Sequence, residues 1–121
     1  MTSSSGRPCL QVEDIGQVTA VRFTEPEIMD AQQAESIAEQ LFGLVDERRR
    51  KKLLLNLHNV EYLSSTALGK LVALRKKLQT AGGRLVLCGL DPQVYEVLAI
   101  TSLDRQFVIR YDEQEALADF K

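Results

Sequence analysis

The stretch LLLNLHNVEYLSSTALG, residues 53–69, decides how this chain folds. It opens on Leu53, Leu54, Leu55 and Leu57, an apolar run of the length and continuity expected of a strand buried on both faces. Such a strand belongs in the middle of a sheet. His58, Asn59 and Glu61 then read as a polar turn, Tyr62 and Leu63 as a return to the core, and Ser64, Ser65 and Thr66 lead into a helical pattern that starts at Ala67. Three hydroxyls therefore stand where a strand hands over to a helix. The first N–H groups of a helix lack internal partners and carry partial positive charge, so this position suits a capping hydroxyl or an anion such as phosphate.

Downstream, the pattern predicts a helix from about Ser65 to Ala81, with Leu68, Leu71, Val72, Leu74 and Leu78 inside and Lys70, Arg75, Lys76 and Lys77 outside. Gly82-Gly83 ends it. Arg84 to Gly89 reads as a further apolar strand, in which Cys88 is a small core residue. Asp91-Pro92 then starts a helix, the carboxylate as cap and the proline in the first turn, with Val94, Val97 and Leu98 as its buried stripe. Thr101 to Arg105 reads as a loop, Phe107 to Ile109 as a short strand, and Asp112 as the cap of a last helix carrying Ala116, Leu117 and Phe120.

Upstream, Met1 to Pro8 is rich in serine, glycine and proline and reads as a flexible segment, leaving residues 9–121 as one domain. Cys9 to Glu13 and Gln17 to Thr24 read as a hairpin around Asp14-Ile15-Gly16. The alternation of Thr19, Val21 and Phe23 against Val18, Ala20 and Arg22 predicts a strand covered mainly on one side. Ala34, Ile37, Ala38, Leu41, Phe42 and Val45 keep helical spacing, and Asp30 with Gln33 makes a capping-box pattern ahead of them. The basic run Arg48 to Lys52 follows, placed to offset the negative helix end; it lacks the interleaved aromatics of a nucleic-acid surface. The order strand, strand, helix, strand, helix, strand, helix, strand, helix predicts an α/β domain with a mostly parallel sheet and one antiparallel edge.

Composition removes several classes of function. At 121 residues and 45% hydrophobic side chains, the chain is large enough for one core. Fifteen basic against seventeen acidic residues leave a net charge of −2, so no nucleic-acid partner is expected. No apolar run approaches the ~18 residues of a membrane span, and the N-terminus has no hydrophobic segment, so neither membrane insertion nor a secretory signal is expected. With only Cys9 and Cys88, far apart, a disulfide framework is not expected either, and a cytoplasmic protein is the simplest reading. No enzyme constellation emerges. His58, the single histidine, has no nucleophile beside it in sequence, Gly82-Gly83 ends a helix instead of starting one, and Glu25 and Glu27 read as solvated loop charge. Neither a metal site nor a cofactor cradle is expected.

The hydroxyl cluster remains, and spacing leaves two uses for it open. One serine, Ser65 or its neighbour Ser64, suffices as a helix cap. Gly69 is the second clue, since glycine inside a helix costs about 1 kcal/mol relative to alanine and usually marks the close approach of a backbone or a partner.

The segments LNLHNVEYLSSTALG, TAGGRLVLCGLDPQVYEVLAIT and FVIRYDEQEAL resemble the STAS domain, in particular the bacterial anti-sigma-factor antagonists. The glycine pair, the apolar strand ending in cysteine and the Asp-Pro helix start all fall at that family's distances. Its motif around a regulated serine, Asp-Ser-Ser/Thr-Gly-Leu-Gly, reads here Ser64-Ser65-Thr66-Ala67-Leu68-Gly69. The resemblance implies that Ser65 is a phosphoacceptor, and that Ser64, Thr66, Gly69 and Lys70, with Glu27 and Met29, contact a partner. It further implies a partner that is an anti-sigma factor with serine kinase activity, a phosphatase that restores the serine, and no catalysis by this chain. Two departures stand out: Ser64 replaces the family's aspartate, and Thr24 to Asp30 replaces its usual Gly-Glu-Leu-Asp turn. STAS-like subunits also serve as unmodified interaction modules in stress-signalling or transporter assemblies, and a bare helix start could receive an anion or a nucleotide. Both alternatives remain open at this level.

Overall fold

The computed structural model describes residues 10–23, 27–29 and 31–120. The expected flexible segment, the Asp30 cap and the Thr24-Glu25-Pro26 connection lie outside these residues. Strand β1 (Leu10–Ile15) turns back through Gly16, at φ +63°, into β2 (Val18–Phe23), and the two pair antiparallel with Leu10 opposite Phe23. The turn sits one residue later than the sequence pattern suggests, because the left-handed backbone it requires falls on Gly16. Next come the short β3 (Glu27–Met29), α1 (Ala31–Asp46), β4 (Lys52–Asn56), β5 (Val60–Leu63) and α2 (Ser65–Thr80). The chain closes with β6 (Arg84–Cys88), α3 (Pro92–Ile100), a 3-10 turn at Leu103–Arg105, β7 (Val108–Arg110) and α4 (Glu113–Asp119).

The main sheet has the order β1-β2-β4-β6-β7, so β4 lies at its centre, as its leucines require. From β2 to β4 to β6 to β7 every crossover joins neighbouring parallel strands and steps the same way. Right-handed crossovers then put α1, α2 and α3 on one face. Ile37 and Leu41 of α1, Leu71, Leu74 and Leu78 of α2, and Val94 and Leu98 of α3 indeed share one core with Leu53, Leu55, Leu85 and Leu87. The alternate strand residues Leu54, Val86 and Cys88 face the other way, where Ala116 of α4 covers them together with Leu117 and Phe120.

This second cover corrects the reading of β2 as a one-sided strand. Val18, Thr19, Ala20, Val21 and Phe23 are all buried, because α4 folds back over the face that the crossover helices leave open. A second difference lies in residues 58–63. Instead of a turn returning to the core, Val60–Leu63 forms β5, which pairs parallel with β3 in a separate two-stranded sheet. Its ends Val60 and Leu63 are buried, whereas Tyr62 is 51% exposed and not in the core as expected. The basic run also lies differently: α1 ends at Asp46 with no basic residue in its last turn, and Arg48 to Lys51 follow it.

Candidate functional site

Leu63 is anchored in the core at the end of β5, and the next residue begins the transition to α2. At Ser64 the backbone is still extended (φ −73°, ψ 168°), and its Oγ accepts the Ala67 N–H at 3.1 Å. Its carbonyl accepts the Leu68 N–H at 3.0 Å. Ser64 is therefore the helix cap, so the capping role falls to the neighbour of Ser65 and not to Ser65 itself. Ser65 is the first helical residue and is exposed, and among the described residues its hydroxyl has no hydrogen-bond partner. Thr66 is half-buried, and Ala67, Leu68 and Leu71 behind it are buried and fix the helix to the core.

The electrostatics favour added negative charge at this position. No acidic residue occupies the first turn of α2, so none of the helix's own carboxylates offsets the partial positive charge of its start. One turn on, Gly69 is exposed, and a Cβ built there would meet no atom of the described residues within 4 Å. Packing among the described residues thus does not require a glycine here. Lys70 pairs with Glu35 of α1 at 3.2 Å, an exposed contact worth about 1 kcal/mol at most.

The two-stranded sheet brings the remaining expected partner residues to the same place. Met29 is registered with Leu63, one residue before Ser64, and Glu27 with Val60. The segment holding Glu27 and Met29, distant in sequence from the serines, thus runs alongside the strand that leads into them. Spacing did not reveal this pairing, since each strand is too short for a periodic signal. The β-branched Val60 and Ile28 beside Tyr62 were the available sign.

The other reactive side chains sit in different surroundings. Cys88 is fully buried, and burial, with help from Glu113 and Asp112, pushes its thiol up to about 12, so it stays protonated at neutral pH. His58 is exposed at the mouth of an open crevice of about 690 Å³ that Tyr95 and Tyr111 also line. Among the described residues no group of three or more His, Cys, Asp or Glu side chains could hold a metal ion, and no helix is long and apolar enough to cross a membrane. Glu113 is engaged in structure: Arg22 donates to it at 2.5 and 2.8 Å and Asn56 at 2.7 Å. Those bonds, the arginine's foremost, hold its carboxyl below the usual range, and Glu113 in turn raises the Arg22 guanidinium.

A family model for the STAS domain matches residues 10–116. The chain belongs to the STAS domain family. BtrV of Bordetella bronchiseptica, a candidate anti-sigma factor antagonist, is 32% identical over 94 residues, spanning 78% of this STAS domain protein and 80% of BtrV. A solved structure of a candidate anti-sigma factor antagonist from Thermotoga maritima superposes with a TM-score of 0.83 at 23% identity, covering 97% of each chain. The Bacillus cell fate determinant SpoIIAA in its phosphorylated form superposes at 0.70 and 17% identity, over 93% of this chain and 99% of that one. Both structures share this fold, and among sequence relatives this STAS domain falls with the anti-sigma-factor antagonists.

Proposed function

We propose that this protein is an anti-sigma-factor antagonist whose α2 start binds an anti-sigma factor with serine kinase activity, and that phosphorylation of Ser65 ends that binding. One observation carries the reading: Ser65 is exposed at the first position of α2 while Ser64 holds the cap. Modifying Ser65 leaves the cap bond in place. The kinase is the partner, so this chain is a substrate and regulator. The Ser65 oxygen loses its proton as it bonds to the terminal phosphorus of ATP, and ADP departs. Hydrolysis of that ester by a phosphatase restores the hydroxyl.

The charge change is large and local. Phosphoserine carries about −1.5 to −2 at neutral pH, which a helix start tolerates and a docked protein surface must desolvate or oppose. A loss of about 3 kcal/mol lowers affinity roughly a hundredfold, enough for a switch without refolding. Ser64, standing where the family's motif has aspartate, also removes a negative charge from beside the incoming phosphate. The membership of the antagonist group and the phosphorylated form of SpoIIAA agree with this reading.

The test is incubation with candidate cognate kinases and ATP, read by intact mass and site mapping. A gain of one phosphate that vanishes in Ser65→Ala is expected. A kinase that binds the unmodified chain yet never phosphorylates it would favour a constitutive docking module. In a second arm, Ser65→Asp keeps the far-UV CD spectrum and weakens anti-sigma-factor binding; unchanged affinity by titration counts against the switch.

A further inference from the structure

The basic run that follows α1 has no part in the Ser65 site. It lies at the opposite end of α2, sixteen residues and hence about 24 Å of helix away. There the C-terminal ends of α1 and α2 flank a cleft of about 720 Å³ lined by Arg49, Lys51, Lys76 and Lys77, with Asp46 as its one acidic side chain among the described residues. We propose that this cleft is a second docking site, one that takes a short acidic segment of a partner protein.

The cations exceed what the fold needs. Two helix C-termini amount together to about one negative charge. Asp46 adds another and is already held by Lys77 at 3.0 Å, while Lys77 also lies 5.5 Å from the Phe42 ring centre. About half of the positive charge in the cleft is left over. Arg49, Lys51 and Lys76 form no ion pair among the described residues, in contrast to Arg50, which pairs with Asp14 at 3.1 Å.

Arg49 supplies an independent observation. Its φ is +56°, one of two positive values among the non-glycine residues described. It sits three residues beyond the end of α1, between Arg48, whose N–H reaches the Gly43 carbonyl, and Arg50, whose N–H reaches that of Leu44. Glycine adopts this backbone with the least strain. The chain instead carries a strained arginine that lines the cleft, the kind of local cost that accompanies function.

A protein segment fits better than a nucleic acid. Among the described residues no aromatic side chain lines the cleft to stack a base. The chain as a whole is at −2, so a long polyanion meets repulsion beyond this one region. The exposed Ala73 and Ala81 in its lining offer apolar contact to aliphatic stems, as glutamate side chains possess.

The experiment titrates fluorescein-labelled hexaglutamate by anisotropy at an ionic strength of about 0.05 M, where screening is weak, and maps the contact by amide shifts. Saturable binding is expected, with shifts centred on Arg49, Lys51 and Lys76. The double variant Arg49→Gly/Lys76→Gln loses about tenfold in affinity, the size expected for two exposed charge contacts. Arg49→Gly alone raises Tm while weakening the peptide, whereas Lys76→Gln weakens the peptide at constant Tm. A hexanucleotide RNA that binds more tightly than hexaglutamate would overturn the assignment in favour of nucleic acid. Absence of binding, shifts spread over the whole surface, an unaffected double variant or a lower Tm for Arg49→Gly would each overturn it as well. All of these readings are independent of whether Ser65 is phosphorylated.

Discussion

Ser64 has extended backbone, so its Oγ can turn back to the Ala67 N–H, whereas Ser65 is already helical and exposed. A shift of one position separates a structural hydroxyl from an available one. Gly69 extends the same surface by one turn, and its neighbourhood makes a sharp prediction. With no atom of the described residues within 4 Å of a built Cβ, Gly69→Leu restores helix propensity and raises stability by about 0.5–1 kcal/mol. At the same time the added side chain obstructs a partner lying flat against α2, so affinity for the anti-sigma factor drops tenfold or more. Urea melts and a binding titration on one sample check both halves; normal docking alongside higher stability would remove Gly69 from the interface.

At the level of elements, β4 carries the fold because its leucines serve two cores. Leu53 and Leu55 pack under the crossover helices, and Leu54 packs with Val86 and Ala116 under α4. Leu54→Ala therefore costs about 2–5 kcal/mol, read as a lower urea midpoint at unchanged slope, while Val12→Ala, at a position 48% exposed on the edge strand, changes little. The same contrast explains what could be read beforehand. An unbroken apolar run, helices with three- and four-residue spacing, and the Asp91 and Asp112 caps are local signals, and they placed β4, α1 to α4 and the serine pair correctly. The double cover of β2 depends on where α4 lands after β7, and the β3–β5 pairing joins segments some thirty residues apart. Neither is written in any single window. The misplaced Tyr62 follows from the second: its outward face exists only because Val60–Leu63 is a strand.

Across the whole molecule, two ion-paired groups hold α4 against the back of the sheet. Arg22 of β2 and Asn56 of β4 grip Glu113 at its start, and Arg110 and Arg84 grip Asp119 at its end. Both carboxyls are held below their usual range, Glu113 mainly by Arg22 and Asp119 mainly by Arg110. A depressed folded pKa contributes stability that is present above the unfolded value, about 4 for these carboxyls, and that disappears as pH falls through the folded one. Glu113→Gln accordingly loses about 1–3 kcal/mol at pH 7, and its deficit against the parent shrinks as the pH is lowered below about 4. Urea titrations at the two pH values measure this; a deficit of constant size would remove Glu113 as a titrating support. The pairing of β3 with β5 has a consequence of another kind. Because the segment ahead of α1 is laced to the strand that delivers the serines, insertions or deletions there can reshape the proposed recognition surface while the five-stranded sheet stays untouched. Paralogues in one cell could diverge by that route alone, each acquiring its own partner without any redesign of the interior.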